Sequence, residues 1–174
     1  MKFNIDAADL KYLMNVCKLA VDKTNLRPAL QMIHCKLYKN RITATSLDGY
    51  RVHSVTVPCD YDGENREFLI PVVKVPPKVK IVSVEVLDEE VIYDFLTEKQ
   101  VLKINHGSFP RVEEFLPKSE DIVFEISVNP KYLKDAMEAF KTEKVVTLQL
   151  HGELKPIMVK STSNDFAMVL PVRK

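Results

Sequence analysis

The chain has 174 residues, of which 46% are hydrophobic and 28% charged, and its formal net charge at neutral pH is +1. This size and composition predict one folded domain, or one domain with an appendage, and exclude a disordered or fibrous protein. The small net charge also excludes tight nucleic-acid binding driven by the field of the whole molecule, so any DNA contact has to come from locally placed charge.

The N-terminus goes directly into folded-looking sequence, without a signal peptide, and no apolar run approaches the roughly 20 residues that a membrane helix needs. The three cysteines form no CxxC pair, which predicts reduced thiols rather than structural disulfides. We therefore expect a soluble, cytoplasmic protein.

The first predicted elements are a short strand around Phe3 and an amphipathic helix. Asp6 offers a side-chain oxygen to cap that helix, and apolar residues at steps of three and four predict one buried face. Pro28 excludes any continuation of the helix. The β-branched segments and turn residues over residues 32–57 then predict an antiparallel meander.

The middle of the chain also predicts strands, over residues 68–73 and 81–107. The pair Pro76 and Pro77 excludes a helix of useful length between them. Residues 108–121 predict an irregular linker with a short turn.

The last fifty residues repeat the order seen at the start. They begin with a predicted strand, FEISV, and a helix capped by Asn129 with Pro130 at its first position, and three strands follow. Both helices contain the tripeptide Lys-Tyr-Leu, and the two copies lie about 120 residues apart. This pattern predicts an internal duplication, with the middle section as a third copy that has lost its helix.

No motif for catalysis or for cofactor binding is recognisable. The four histidines lie singly, without metal-ligand spacing, and four glycines leave little material for a phosphate-binding loop. Pairs of carboxylates such as Asp88 with Glu89 lie in predicted turns, where solvated acidic loops are the ordinary interpretation. We therefore expect no metal, no cofactor and no enzymatic activity.

Three motifs, in this order, carry a resemblance to a known family. They are the turn Leu47-Asp48-Gly49-Tyr50-Arg51-Val52 after an Arg-Pro and a strand pair, the linker GSFPRVEEFLP, and the C-terminal segment FAMVLPVRK. In this order the chain resembles the bacterial sliding clamp, the beta subunit of DNA polymerase III.

The resemblance implies an α+β, DNA clamp-like fold, with two helices packed on antiparallel sheets in pseudo-twofold strand-helix-strand repeats. Residues 1–117 are similar to the middle clamp domain, with its second helix lost. Residues 122–174 are similar to the end of the last clamp domain, and we expect them to pack with the first domain into one unit. The domain that begins the clamp subunit has no counterpart here.

The resemblance also implies a function. Such a protein is a processivity factor of DNA replication that binds short peptides, hydrophobic and acidic-amide in character, from a polymerase or from other replication and repair proteins. In the family the peptide pocket lies between the middle and last domains. The positions that match it are Leu30, Leu47, Gly49, Tyr50, Arg51, Val52, Pro110, Phe115, Met168, Leu170, Pro171, Val172 and Arg173.

Clamp helices face the duplex, so the resemblance implies that DNA meets the polar helix faces without sequence readout. The candidate cations are Lys11, Lys18, Lys23, Arg27, Lys134 and Lys141. The expected partners are therefore clamp-binding-motif proteins and duplex DNA, and the expected assembly is either a ring of copies or a monomer.

Two alternatives remain open. A monomeric clamp mimic from a phage or mobile element would compete with a host clamp for the same peptides. A small enzyme would use the polar cluster Asp48, Arg51 and His53, of which the last two share a face of an alternating strand.

Overall fold

A computed structural model describes residues 1–24, 26–117, 119–163 and 165–173. It divides into two compact units, Met1–Glu114 and Phe115–Lys174, called here the N-terminal and the C-terminal unit. The N-terminal unit contains β1 (Lys2–Asp6), α1 (Ala7–Cys17), β2 (Ile33–Tyr38), β3 (Arg41–Leu47), β4 (Val52–Pro58), β5 (Arg66–Ile70), β6 (Ile81–Val86), β7 (Glu90–Asp94) and β8 (Lys99–Lys103). The C-terminal unit contains α2 (Pro130–Glu138), β9 (Thr147–Gln149), β10 (Ile157–Lys160) and β11 (Phe166–Val169).

The N-terminal unit has two four-stranded antiparallel sheets, in the orders β4-β3-β2-β5 and β1-β6-β7-β8. Each sheet therefore contains three consecutive strands from one half of the unit and one strand from the other half. The first half consists of β1, α1, β2, β3 and β4, and its strand β1 pairs with β6 of the second half. The second half consists of β5 to β8, and its strand β5 pairs with β2 of the first half. This exchange makes the unit pseudo-twofold, and it means that the first repeat takes its strand partners from the middle section.

The helix α1 lies where the apolar pattern predicts it. The Asp6 carboxylate accepts a hydrogen bond from the Ala8 amide at 2.8 Å, as the capping prediction requires. Leu10, Leu13 and Met14 on one helical face are buried in the core of the unit. That core is completed by the inward faces of the strands, which alternate with outward polar residues.

The second half of the unit has no α-helix, as the proline pair predicts. Residues 71–80 run from β5 to β6 without regular structure, and Pro76 and Pro77 lie within them. Val73 is buried there, and its backbone amide donates to the Met14 sulfur at 3.5 Å.

The C-terminal unit contains one such half, with α2 and the antiparallel sheet β11-β10-β9. The Asn129 side chain accepts a hydrogen bond from the Lys131 amide at 2.9 Å, and Pro130 opens the helix, so the predicted cap is confirmed. The predicted strand FEISV is reduced to a single bridge, between Val128 and Pro171. A strand needs a neighbour to hold its backbone hydrogen bonds, and this segment lies beside no strand among the described residues.

The α+β prediction, with two helices on antiparallel sheets, is confirmed. Neither α-helix in the described residues has the length and apolar character needed to cross a membrane.

Candidate functional site

A groove of about 460 Å³ lies in the N-terminal unit between the loop that follows α1 and the turn that joins β3 to β4. It brings together Gly49, Tyr50 and Arg51 from the predicted peptide-binding set with Lys23 and Arg27 from the predicted DNA-binding set. The rest of its lining is Val21, Asp22, Thr24, Leu26 and Asp48.

The turn at one wall is built around the Asp48 carboxylate. One oxygen accepts from the backbone amides of Tyr50 at 3.1 Å and Arg51 at 3.2 Å, and the other accepts from Arg51 Nε at 2.8 Å. The bond from the Tyr50 amide is the largest of the effects that hold the pKa of Asp48 below its ordinary value, and the Arg51 contacts add to it. The ionised carboxylate therefore shapes the turn.

Gly49 lies in this turn with φ near +89°, in the left-handed region that L-residues other than glycine adopt at a cost. The Arg27 guanidinium lies close by, with Nη1 3.8 Å from the position that a Cβ atom on Gly49 would occupy. The loop and the turn thus meet at a residue without a side chain.

The loop at the other wall is held by hydrogen bonds to its own base. The Asp22 amide donates to the Leu30 carbonyl at 2.9 Å, and the Asp22 carboxylate accepts from the Thr24 amide at 2.7 Å. Gln31 donates to the Thr24 carbonyl at 2.7 Å and accepts from Asn105 at 2.9 Å. These bonds tie the loop to the linker that follows β8.

The groove combines exposed apolar side chains with three cations and two carboxylates. Tyr50 is 98% exposed and Leu26 is 86% exposed. Arg51 is paired with Asp48, whereas Lys23 and Arg27 form no ion pair within the described part of the chain. An extended segment with an apolar side chain and an acidic or amide group would match this surface.

Four further residues of the predicted pocket lie in the N-terminal unit. Leu30 and Leu47 are buried, and Val52 is half-buried beside Leu47 at the start of β4. They therefore offer little free surface to a peptide. Pro110 is exposed on the linker.

The linker itself is fastened to β2 around Pro110. Phe109 stacks on the His34 ring, with centroids 5.0 Å apart, and Glu113 accepts a hydrogen bond from Lys36 at 2.6 Å. The Lys36 bond lowers the pKa of Glu113. Pro110 is thus presented from an anchored segment.

The remaining six residues of the predicted pocket lie in the C-terminal unit. Phe115, Met168, Leu170 and Val172 are each about half exposed, and Pro171 forms the bridge to Val128. A groove of about 910 Å³ in this unit is lined by Ile122, Val123, Phe124, Glu125, Ser127, Glu153, Leu154, Val172 and Arg173.

A different groove, of about 600 Å³, runs along α1 and brings together Lys11 and Lys18 from the predicted DNA-binding set. It also contains Lys74, which was not among the predicted cations. The segment after β5 lies alongside α1 only in the folded chain, so the sequence alone does not indicate this contact. Lys18 donates to Asn15 at 2.6 Å. The other lining residues are Met14, Val72, Val73, Val75 and Pro77.

The two predicted cations near α2 are arranged differently. Lys134 pairs with Glu138 at 3.6 Å, one turn further along the helix. Lys141 lies beyond the end of α2. Lys134 is therefore the one of the two that lies on α2, and Glu138 partly neutralises its charge.

The polar cluster of the enzyme alternative is engaged in separate contacts. Asp48 and Arg51 pair with each other, whereas a ring nitrogen of His53 lies 2.8 Å from the Val16 carbonyl of α1. The described residues contain no group of three or more metal-ligating side chains that could hold an ion. The geometry gives no support to catalysis by these three residues.

Comparison of the sequence with protein-family models and with curated proteins gives no match. Solved structures do match. A DNA polymerase sliding clamp from Pseudomonas aeruginosa is 15% identical, with 100% of this chain and 52% of that one covered and a TM-score of 0.81. The DNA polymerase III beta chain of Streptococcus pneumoniae is 14% identical, with 99% and 50% covered and a TM-score of 0.77. The beta subunit from Thermotoga maritima is 16% identical, with 100% and 51% covered and a TM-score of 0.72.

This likeness confirms the resemblance predicted from the three motifs, and it shows that the chain has the fold of the bacterial sliding clamps. The chain spans about half the length of each of these three proteins.

Proposed function

We propose that this chain is a sliding-clamp-like processivity factor of DNA replication, without enzymatic activity, that binds short peptide motifs of a polymerase or of other replication and repair proteins. Its proposed place of action is the cytoplasm. The clamp fold supports the general role. The observation that carries the peptide-binding role is the groove between the loop after α1 and the β3–β4 turn.

In this proposal the peptide lies extended in the groove between the loop after α1 and the β3–β4 turn that contains Gly49. Its apolar side chains pack on Tyr50 and Leu26, which are otherwise almost fully in water. An acidic or amide group on the peptide meets the Arg27 guanidinium, whose planar donors suit a carboxylate. The apolar contacts supply affinity, and the charged contact supplies orientation.

The residues of the C-terminal unit belong to the proposal through the resemblance. Met168, Leu170 and Val172 present half-exposed apolar side chains, and Arg173 supplies a cation. These are the residue types that accept hydrophobic anchors with an acidic neighbour.

We also propose weak contact with duplex DNA through the lysines of the groove along α1. Lys11, Lys18 and Lys74 place three positive charges together, and the described residues that line this groove include no carboxylate. Such contacts go to phosphates, so the binding would be salt-sensitive and indifferent to base sequence.

The test of peptide binding is a titration with a fluorescent peptide that carries acidic or amide residues followed by leucine and phenylalanine, against the same residues in scrambled order. Tyr50→Ala should weaken binding about tenfold or more, since aromatic anchors at interfaces contribute roughly 2 kcal/mol. The side chain is almost fully exposed, so its removal should leave the fold intact.

The matched control is Tyr12→Ala, which removes an exposed tyrosine from α1 outside the groove. Binding that is lost in the Tyr50 variant and kept in the Tyr12 variant supports the proposal. Equal affinity of wild type and Tyr50→Ala would exclude this groove as the peptide site.

A further inference from the structure

The C-terminal unit has the composition of one half of the N-terminal unit. Both consist of a segment before a helix, the helix, and three antiparallel strands. In the N-terminal unit each half is completed by the other, because β1 pairs with β6 and β5 pairs with β2. Among the described residues, the C-terminal unit contains one such half.

A shared hydrogen bond shows which residues correspond. In the N-terminal unit the Asn4 carbonyl, two residues before the helix cap Asp6, accepts from the Asp60 amide at 2.7 Å. In the C-terminal unit the Ser127 carbonyl, two residues before the cap Asn129, accepts from the Val172 amide at 2.7 Å. The segment 124–128 therefore corresponds to β1.

The strand β9 corresponds to β2 and β6, which are both flanked on two sides. Among the described residues, β9 has β10 on one side and no strand on the other. Its outer edge therefore presents backbone donors and acceptors without strand partners, and such edges tend to pair with another chain. In the part of the chain that the structure describes, the segment 124–128 likewise has no strand beside it that corresponds to β6, the partner of β1.

The inner face of this sheet is covered at β10 but open at β9. Leu148 of β9 lies directly opposite Val159 of β10, so the two side chains share a face. Val159 is fully buried, whereas Leu148 is 49% exposed. In the N-terminal unit the corresponding Cys35 is fully buried, because the other half of the unit covers it.

The core of the C-terminal unit is correspondingly small. Its buried apolar cluster is formed by Ala136, Val159 and Val169, and five partly buried side chains pack against it: Val128, Leu133, Phe140, Val146 and Ala167. Ile157 of β10 is also buried, whereas Val145 and Leu150 near β9 are more than half exposed. A unit of this size with so little buried apolar surface needs a further source of stability. An exposed apolar face beside an open strand edge marks an interface.

We propose that the C-terminal units of two copies of this chain complete one another. Segment 124–128 of each copy would pair with β9 of the other copy, as β1 pairs with β6 and β5 with β2. Both surfaces belong to the same unit and are complementary to each other, which is the condition for a twofold dimer. The corresponding edges of β2 and β6 are already occupied, by β5 and β1, so the N-terminal unit leaves no equivalent place open.

The pairing has a defined register. Asp60 and Val172 occupy equivalent positions, because their amides make the shared hydrogen bond. Following the strand registers from Asp60 through β3 to β2, and from Val172 through β10 to β9, makes Leu148 the counterpart of Cys35. Cys35 lies opposite Phe68 of β5, and the same geometry places Phe3 opposite Val84.

Carried over to the C-terminal unit, this register places Ile126 opposite Leu148 of the second copy. It places Ser127 opposite Thr147 of the second copy. Opposite residues in an antiparallel pair have Cα atoms about 4.5–5.5 Å apart, a separation that a disulfide can bridge.

The test mixes a Ser127→Cys chain with a Thr147→Cys chain under mild oxidation. Each variant alone should stay at chain mass on a non-reducing gel, and the mixture should form a covalent dimer. The three native cysteines are buried and should stay out of the reaction. Gln149→Cys in place of Thr147→Cys is the control for register, because it moves the thiol two residues along the strand. Failure of the first mixture to cross-link, or equally good cross-linking with Gln149→Cys, overturns the proposal.

Light scattering of the unmodified chain gives a second readout. The expected mass is twice 19.9 kDa. Leu148→Lys should shift the mass to that of one chain, because it places a charge in the proposed interface. The matched variant Leu19→Lys, at an exposed leucine after α1, should leave the dimer intact. A wild-type mass of one chain would overturn the proposal. The edge of β9 and the segment 124–128 would then be free to bind a different protein.

This inference is independent of the peptide site at Tyr50. Loss of dimerisation in Leu148→Lys with peptide affinity unchanged would separate the two, and so would loss of peptide binding in Tyr50→Ala with the dimer intact.

Discussion

The Arg27 guanidinium and Gly49 meet across the groove of the N-terminal unit, with Nη1 3.8 Å from where a Cβ atom on Gly49 would stand. That distance is an ordinary van der Waals contact, so a methyl group at this position would touch Arg27 without displacing it. The constraint on Gly49 comes instead from its backbone, which has φ near +89°. The backbone conformation at residue 49, more than the space around it, therefore explains why a glycine stands there.

Gly49→Ala should therefore destabilise the fold by about 1–2 kcal/mol, the cost of a left-handed backbone for a residue with a Cβ atom. Gly49→Asn should cost less, since asparagine tolerates this region better than other residues. Urea unfolding of the three proteins measures the difference. Equal stability of the alanine and asparagine variants would show that the backbone conformation is not the cause.

The Asp48 carboxylate should stabilise the turn in a pH-dependent way. The backbone bond from Tyr50, and then the side-chain and backbone bonds from Arg51, hold its pKa in the folded protein below the ordinary value of 3.8. A depressed folded pKa contributes stability that is fully present above pH 3.8 and is lost as the pH falls through the folded pKa.

Asp48→Asn tests this contribution, because the amide keeps the shape of the side chain and removes the titration. The stability difference between wild type and variant should be constant above pH 3.8 and should shrink below it. Chemical denaturation over a pH series, with all other carboxylates common to both proteins, measures this difference. A difference that grows on acidification would contradict the role assigned to Asp48.

The lysines of the groove along α1 should govern any binding to duplex DNA. Replacing Lys11 and Lys18 by glutamate should weaken binding and should reduce the slope of log affinity against log salt by about 2, the loss of two phosphate contacts. Fluorescence anisotropy with unrelated duplex sequences measures both. Lys39→Glu, in the turn between β2 and β3, is the control for a general change of charge. An unchanged salt slope in the double variant would place DNA contact elsewhere.

The cysteines should be inert in the folded protein. Burial raises the pKa of Cys17 and of Cys59 to about 11 and that of Cys35 well above its ordinary value, so the thiolate is scarce at neutral pH. Mass spectrometry after brief alkylation should find them unmodified in the native protein and fully modified in denaturant. Rapid native labelling of any of them would show that its surroundings open readily.

Local features of the sequence were enough to predict much of the fold. The caps at Asp6 and Asn129 and the break at Pro76 depend on residues close in the chain, and the structure confirms all three. The strand over FEISV was overpredicted, because a strand depends on a neighbour that sequence periodicity does not reveal. Leu26 was missed for a related reason, although an apolar residue in the polar loop after α1 was a signal that could have been used.

The sequence by itself determined the helices, most of the strands, the internal repeat and the resemblance to sliding clamps, because propensity, capping and side-chain alternation act over a few residues. Only the tertiary structure decided which halves exchange strands, that Arg27 lies over Gly49, and that Lys74 joins Lys11 in one groove. These relationships join residues far apart in the chain, and their free energy comes from burial and backbone pairing that exist only once the chain has folded.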